Sequence, residues 1–420
     1  MGAMRWRLAC LISAGIAISY LDRQTLPVAI KAIQRDIPIS NEGFSLLNTA
    51  FLATYGLMYA AGGRLLDVLG TRTGFTWIMI FWSLACASHG FAATVAMLAA
   101  SRLLLGMGEG GGFPAATRAV AEWFPPAERS TAMGIINAGT ALGAVVAPVL
   151  IAAVLGFTNW RWIFFFTGGM GLVWTFFWRR MYFPPGQHPR LGTAERCHIS
   201  ASIQAGEGAP PQTPWLDLLR IREVRGLAAA KFLSDAAWYF YLFWLPKYLY
   251  DARGFDIKAV GAFAWFPYAA SGVGCLCGGW LSSHLVRNRH SIDLSRKLAL
   301  GASAAVMPFI ILVTHVPVAW AIALFSLAYF GQQSWSTLVM VLPADLFPRQ
   351  TVGAVAGLTG FGGAMGGIIF GQSAGWLLDH GFGYTLVFTV AATFHVIAFS
   401  VICITIPRIQ PLVLYPQPTA

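Results

Sequence analysis

The sequence predicts an all-α protein that crosses a membrane many times, with twelve transmembrane helices in two six-helix halves. Composition is the first observation behind this: 57% of the 420 residues are hydrophobic and only 11% are charged. Soluble domains carry about 25% charged residues. The second observation is that apolar stretches of about 20 residues, the length that crosses a bilayer as a helix, recur from end to end.

Twelve spans, numbered here in chain order, fit the apolar stretches. Their predicted bounds are roughly 8–30, 43–66, 75–95, 97–121, 130–155, 160–181, 226–250, 258–285, 296–314, 317–341, 351–377 and 382–406. Arg5 and Arg7 before the first stretch resemble the start of a signal peptide. No small-residue cleavage site follows before Asp22, so we expect span 1 to be retained.

One long connection divides the spans into two groups of six. It contains "FPPGQHPR" and "GEGAPPQTP", and this proline and glycine content favours an irregular linker. We therefore expect an N-terminal six-helix bundle over 1–181 and a cytoplasmic linker over 182–225. A C-terminal six-helix bundle with a short tail should occupy 226–420.

The distribution of basic residues predicts the orientation. The net charge of +11 is not gathered into one patch, so we expect no nucleic-acid partner. The basic residues instead collect in alternate loops, as expected for a cytoplasmic side. With both termini in the cytoplasm, as in a bacterial-type inner membrane, six basic residues lie outside: Lys31, Arg35, Arg161, Lys247, Arg253 and Lys258.

The two halves resemble each other in sequence. "WFPPAERSTAMGIINAGTALGAVVAP" can be laid over "LFPRQTVGAVAGLTGFGGAMGGIIFG" at a constant offset of 223 residues, with a shared Phe-Pro pair at the start. Membrane proteins are often built from such internal repeats, so duplication is favoured over chance alignment of glycine-rich helices. Three glycines of each half fall in register: Gly134, Gly139 and Gly143 against Gly357, Gly362 and Gly366.

Charged residues within the spans are the strongest functional signal. A charge at the centre of a membrane helix costs about 2.5–3.5 kcal/mol, so it usually faces a cavity or a partner. Asp22 and Arg23 lie in span 1, Arg102 and Glu109 lie two turns apart on one face of span 4, and Asp235 lies in span 7.

Two interpretations of these charges are open: a buried network that only locks spans 1 and 4 together, or a site for ions. Buried ion pairs are a weak source of stability, which favours the second. Arginine matches a carboxylate with its planar fork, and a dehydrated carboxyl group can take up and release protons.

Polar and aromatic side chains elsewhere in the spans suit a polyhydroxylated ligand. For each aromatic residue alone, core packing is the competing explanation, whereas two amides in mid-span need partners. The six cysteines have no metal or disulfide spacing, and we expect no cofactor other than protons as the coupling ion. The candidates are Tyr55 in span 2, Asn137 in span 5, Trp238 and Tyr241 in span 7, and Gln332, Gln333 and Trp335 in span 10.

The loop after span 2 carries a recognisable motif, "GRLLDVLGTRTG". Gly63, Leu65, Asp67, Gly70 and Arg72 match the loop signature G-x-L-x-D-x-x-G-x-R, which resembles that of the major facilitator superfamily. The resemblance implies that this motif holds the cytoplasmic helix ends together in the outward-open state.

The equivalent stretch of the second half, "GGWLSSHLVRNR", keeps two residues of the motif, Gly279 and Leu281. It has Ser283 where the aspartate would be, which leaves a gate role for this second copy open.

A narrower resemblance is carried by "YLDRQTLPVAI", "RLLLGMGEGGGFPAATRAVAEWFPPAERSTAMGIINAG" and "SDAAWYFYLFWLPKYL". These stretches are similar to the anion:cation symporter family and, within it, to hexuronate transporters. The resemblance implies proton coupling through Asp22 and Glu109. It also implies that Arg23 and Arg102 serve the anionic substrate and that Tyr55 lines its site.

The expected function is proton-coupled import of a sugar-acid anion by alternating access, and not an enzymatic reaction. Hexuronates such as glucuronate and galacturonate come ahead of aldonates and other organic anions. The expected partners are this small anion, protons and the lipid bilayer, and we expect a monomer.

Three other functions fit the sequence less well. A drug/proton antiporter usually has Gly-Pro in span 5, where this chain has Gly143 followed by Ala144. A non-transporting sensor on a transporter fold would normally carry an added signalling domain. A membrane enzyme would need a metal cluster or a nucleophile–base pair. Four histidines are instead scattered along the chain, which favours packing or helix-end roles for them: His89, His284, His315 and His395.

Overall fold

The computed structural model describes residues 4–39, 41–202, 214–253 and 265–412, and helices make up most of them. In the first half, span 1 is Met4–Ile33, spans 2 and 3 share Asn41–Ser88, span 4 comprises Val95–Glu109 and Gly112–Trp123, span 5 is Pro126–Phe157 and span 6 is Trp160–Met181. In the second half, span 7 is Arg222–Arg253, span 8 is Trp265–Arg287, span 9 is Ile292–Ala305 with the 3₁₀ segment Met307–Thr314, span 10 is Val318–Leu346, span 11 is Arg349–Asp379 and span 12 is Gly383–Thr405.

The structure differs from the predicted organisation most clearly in two places. Spans 2 and 3 form one helix that is interrupted only at Gly70, whose φ of 74° and ψ of 158° turn the chain. The linker is not wholly irregular, because it contains the helices Thr193–Ser202 and Trp215–Arg220. Nearly all of "GEGAPPQTP" and the start of predicted span 8 lie outside the described residues.

Burial explains why few spans look like isolated membrane helices. By length and apolar composition alone, four segments of the described chain would cross a bilayer: Pro126–Ala147, Ile292–Thr314, Thr351–Leu378 and Gly383–Thr405. Other spans carry charges that face the inside of the bundle, where they have partners. Span 1, for example, buries Asp22 at 1% exposure.

The halves meet where span 2 packs on span 11 and span 5 packs on span 8. The repeated glycines make these crossings possible, because a small residue lets two helix backbones approach closely. A Cβ atom at Gly134 would meet the Cys275 carbonyl of span 8, and one at Gly357 would meet the Tyr59 carbonyl of span 2. The two positions therefore make equivalent contacts in the two halves.

The remaining repeated glycines pack within each half. Gly139 and Gly143 approach carbonyls of span 1, at Ser13 and Ala17. Gly362 and Gly366 approach carbonyls of span 7 in the same way: Ala228 and Phe232. The sequence register of the repeat thus corresponds to equivalent helix crossings, which supports duplication.

One end of the bundle is closed by Asp67. Its carboxylate accepts hydrogen bonds from the backbone N–H groups of Gly353 (3.2 Å) and Ala354 (2.8 Å), at the start of span 11, and pairs with Arg118 at 2.5 Å. Both N–H groups lie near the N-terminal end of span 11, where the helix dipole favours a negative charge. Gly63 allows this approach, because a Cβ atom there would collide with the Gly353 carbonyl.

Arg72, the last residue of the predicted gating motif, has a different position from Asp67. Its guanidinium stacks on Phe183, 3.8 Å from the ring centroid, and donates to the Arg179 carbonyl at 2.8 Å. Arg72 therefore fixes span 3 to the end of span 6. Within the described residues it has no bond to the second half.

The second copy of the motif closes the other crossing at the same end. The Ser283 hydroxyl accepts a hydrogen bond from the Thr131 N–H at 3.1 Å, at the start of span 5. Asp345 supplies the charge there, with Arg129 at 2.9 Å and Arg296 at 2.8 Å. Ser283 thus keeps the contact with the facing helix in neutral form, and its gate role stays a prediction.

Asp345→Asn should destabilise the protein strongly. The change leaves two buried arginines without a carboxylate, and breaking such a buried pair costs about 3–5 kcal/mol. We expect a clearly lower melting temperature in detergent. Asp217→Asn is the matched control, because the Asp217 and Arg220 side chains are 49% and 81% exposed and surface pairs contribute about 1 kcal/mol or less. Equal melting temperatures for the two variants would contradict the importance of Asp345.

Candidate functional site

A cavity of about 390 Å³ lies between the two halves at the middle of the bundle. Spans 1, 2, 4 and 5 of the first half line it, together with spans 7 and 8 of the second half. Its wall includes Arg23, Phe51, Arg102, Thr140 and Trp238. The volume lies in the range of small-molecule sites.

A narrow polar pocket of about 30 Å³ adjoins this cavity and shares Tyr20, Trp238 and Tyr239 with it. It is lined mostly by polar and aromatic groups, among them Tyr55, Asn137, Lys231, Asp235, Gln332 and Gln333. The two spaces together form one site with a wide, mainly apolar part and a narrow polar part.

Arg102 is a buried arginine in the wall of the wide part. The residue is 2% exposed and lines the cavity. Its Nε and Nη2 atoms are buried without a hydrogen-bond partner among the residues that the structure describes. A buried guanidinium with unused donors is costly unless a ligand satisfies it, and a carboxylate fits its planar fork.

Arg23, in contrast, is already paired. Its Nε atom donates to Glu109 Oε2 at 2.6 Å, and the Ser19 hydroxyl donates to the same oxygen at 2.7 Å. The guanidinium carbon also lies 4.5 Å from the Tyr55 ring centroid and 4.6 Å from that of Tyr20. The pair therefore joins span 1 to span 4 at the wall of the cavity.

Asp22 points away from the cavity, although it precedes Arg23. Its Oδ2 atom accepts a hydrogen bond from the indole N–H of Trp82 in span 3 at 2.7 Å. The other oxygen is buried without a partner in the described part of the chain. Asp22 thus lies behind the site, on the side of spans 3 and 6, and Glu109 is the acid that touches an arginine of the cavity wall.

The second half contributes a network of neutral and charged groups. Lys231 pairs with Asp235 at 2.8 Å and reaches the Ser336 hydroxyl at 3.3 Å. Asn137 of span 5 donates to Gln333 Oε1 and to Thr337 Oγ1 of span 10, each at 3.1 Å. These two bonds cross between the halves at the floor of the site.

Two predicted site residues lie elsewhere. Tyr241 is fully buried, and its backbone carbonyl accepts from Tyr329 at 3.1 Å. Trp335 packs edge-on against His395, with ring centroids 5.6 Å apart. Neither contributes to the described wall of the two spaces, because each lies on the side of its helix that packs against neighbouring spans of the same half.

His395 lies outside the described wall of both spaces but contacts a residue of the narrow pocket. Its Nε2 atom contacts Gln332 Oε1, a residue of the narrow pocket. Since an amide oxygen only accepts, the ring donates from Nε2 and the Gln332 amide keeps its NH₂ group for another acceptor. The available signal was that His395 is the one residue of span 12 that can carry a positive charge.

The sequence profile of the Major Facilitator Superfamily matches residues 12–371. The chain belongs to this superfamily. It is an integral membrane transporter and not an enzyme, and the fold class predicted from the sequence is confirmed.

Known relatives agree with this assignment. The hexuronate transporter of Escherichia coli K12 is 30% identical over 99% of this chain and 97% of its own length. The galacturonate transporter of Dickeya chrysanthemi is 34% identical over 72% of this chain and 89% of its own length. The crystal structure of the human organic anion transporter MFSD10 superimposes with a TM-score of 0.73 at 16% identity, covering 96% of this chain and all of the other, which supports the fold alone.

His395→Phe should weaken substrate binding by releasing Gln332. One hydrogen bond contributes about 0.5–1.5 kcal/mol, so we expect the KM of transport to rise roughly two- to tenfold. His395→Gln, which retains a donor, should recover part of the loss. Trp335→Phe is the control, since it disturbs the same cluster without removing that donor. An equal effect of His395→Phe and Trp335→Phe on KM would assign His395 to packing.

Proposed function

We propose that the protein is a proton-coupled importer of a sugar-acid anion, foremost a hexuronate such as glucuronate or galacturonate. The observation that carries the proposal is Arg102, a buried arginine that lines the cavity and has two donor atoms without a partner in the described chain. The names of the two curated relatives support a hexuronate. Tyr55, Trp238 and the amides of Asn137, Gln332 and Gln333 offer the ring faces and hydrogen bonds that bind sugars.

The contact between Glu109 and Arg23 supports the proposed coupling to protons. A proton on Glu109 removes the countercharge of an arginine that lines the cavity, so binding of an anion and binding of a proton stabilise each other. One proton per monoanion is electroneutral. Two protons would make uptake electrogenic, gaining about 2.3 kcal/mol per charge from each 100 mV.

The proposed orientation places both termini in the cytoplasm of a bacterial-type inner membrane. The end closed by Asp67 and Ser283 also holds the N-terminus, where Arg5 pairs with Glu128 at 2.7 Å and with Glu195 of the linker at 3.0 Å. In this orientation the closed end is cytoplasmic, and the cavity belongs to an outward-facing arrangement.

Arg102→Gln should raise the KM for galacturonate about a hundredfold in proteoliposomes, because removing one partner of a buried charge contact costs about 2–5 kcal/mol. Arg102→Lys keeps the charge without the planar fork and should give an intermediate KM. Arg161→Gln is the control, since Arg161 pairs with Asp36 away from the cavity. A normal KM in Arg102→Gln would place the substrate carboxylate elsewhere.

Glu109→Gln should abolish gradient-driven accumulation and retain exchange of substrate across the membrane. The amide can bind Arg23 and Ser19 but cannot release a proton. The measurement is uptake of labelled glucuronate with and without an inward proton gradient, for native protein and variant. Native protein that only equilibrates glucuronate would contradict coupling. Movement of galactonate but not of glucuronate would change the substrate to an aldonate.

A further inference from the structure

Three cationic side chains line the site, and two of them are neutralised. Arg23 pairs with Glu109 and Lys231 pairs with Asp235. Arg102 alone has no carboxylate partner among the described residues. With both carboxylates ionised, these five groups carry one uncompensated positive charge, which matches a ligand with one carboxylate.

The two arginines are close enough to serve one ligand. The Arg23 and Arg102 guanidinium carbons lie 5.5 and 5.7 Å from the centroid of the same ring, that of Phe51, and both residues line the wide cavity. A six-carbon chain with a carboxylate at each end could therefore reach both. Its second carboxylate would meet Arg23 only in competition with Glu109.

Glu109 can lose its charge without losing its hydrogen bonds. Its Oε2 atom accepts from Arg23 and Ser19, whereas its Oε1 atom is buried and has no partner in the described chain. A proton on Oε1 leaves both bonds to Oε2 in place. The charge of Arg23 is then uncompensated, and the site carries two positive charges in place of one.

We propose that the protonation state of Glu109 selects the substrate by its number of carboxylates. Ionised Glu109 leaves a site for monocarboxylates at Arg102, and protonated Glu109 adds a site for a second carboxylate at Arg23. The inference rests on the proposed function, that this cavity binds sugar acids. It follows that a dicarboxylate binds only when Glu109 is protonated, whereas a monocarboxylate binds at Arg102 in either state of Glu109, so that coupling of glucuronate uptake through Glu109 is retained.

Other titratable groups surround this pair. Those of the first half are Tyr20 and Asp22 in span 1, Tyr55 in span 2, Cys86 in span 3 and Arg102 in span 4, and Tyr239 faces it from span 7. Asp22 is turned towards Trp82, away from the cavity. Asp235 is the competing candidate, because its neutralisation would free Lys231 in the same way.

The test is calorimetric binding of galactonate and galactarate, two linear acids that differ only in whether carbon 6 is an alcohol or a carboxylate. The proteins are the native chain, Glu109→Gln and Glu109→Gln combined with Arg23→Gln. Near neutral pH, we expect Glu109→Gln to raise the affinity for galactarate relative to galactonate by about tenfold, equal to about 1.4 kcal/mol. Loss of that gain in the double variant would assign it to Arg23.

Two control variants each remove one carboxylate. Asp235→Asn removes it from the competing pair with Lys231, and Asp36→Asn removes it from the pair with Arg161, far from the cavity. Neither should change the ratio of the two affinities as Glu109→Gln does. A larger change in Asp235→Asn than in Glu109→Gln would overturn the proposal and assign the selection to Lys231.

The native protein gives a second readout that needs no variant. Uptake of one extra proton with galactarate predicts that its affinity rises as the pH falls, by up to about tenfold per pH unit relative to galactonate. Both ligands remain ionised well above pH 4, so the dependence belongs to the protein. A ratio that is independent of pH and unchanged in Glu109→Gln overturns the inference, while intact galacturonate transport would keep the proposed function. If the protein neither binds nor transports any of the three acids, both fail.

Discussion

The ion pair between Arg23 and Glu109 is the contact on which the rest of the site depends. Two charges can lie at mid-membrane because each compensates the other, and removing one partner would leave a buried charge that costs about 3–5 kcal/mol. The pair fixes span 1 against span 4 and holds the Arg23 guanidinium among the rings of Tyr20, Phe51 and Tyr55. Because Glu109 is used in this way, Arg102 on the same helix has no carboxylate partner among the described residues.

The opposite wall uses hydrogen bonds to orient neutral groups. Gln333 accepts from Asn137 through its amide oxygen, and Gln332 contacts His395 through its own. The amide oxygen of each glutamine is therefore engaged within the protein, which leaves its NH₂ group as the part of the side chain that can donate to a further acceptor. The bond from Asn137 to Gln333 crosses between the halves, so a rocking motion must break it. A substrate that replaces it links binding to the movement of the halves.

The sequence predicted the features that depend on residue type and spacing. The span count, the glycine register at an offset of 223 and the contact of Asp67 all follow from such patterns. The orientation of side chains around buried helices was less accessible, because a helix that is apolar on every side has no polar face to mark its direction. Tyr241 and Trp335 were placed on the wrong side for that reason. The contact of Asp22 with Trp82 and that of His395 with Gln332 join spans far apart in sequence, which no local pattern encodes.

Each of the two helix crossings at the closed end uses one carboxylate, but the carboxylate comes from a different position of the repeat. At the crossing of spans 2 and 11, the charge comes from the motif residue Asp67. Its carboxylate accepts a hydrogen bond from the Ala354 N–H of span 11. Glu122, at the end of span 4, stays within its own half with Arg118.

At the crossing of spans 5 and 8, the motif residue equivalent to Asp67 is the neutral Ser283. Asp345, which occupies the repeat position of Glu122, pairs there with Arg129 of the other half. Each crossing therefore has one carboxylate that must separate from its partner before this end can open. The position of this carboxylate in the repeat differs between the two halves. A carboxylate contacts the facing half at each crossing, so separating either pair of helices alone would still leave the other carboxylate holding the halves together.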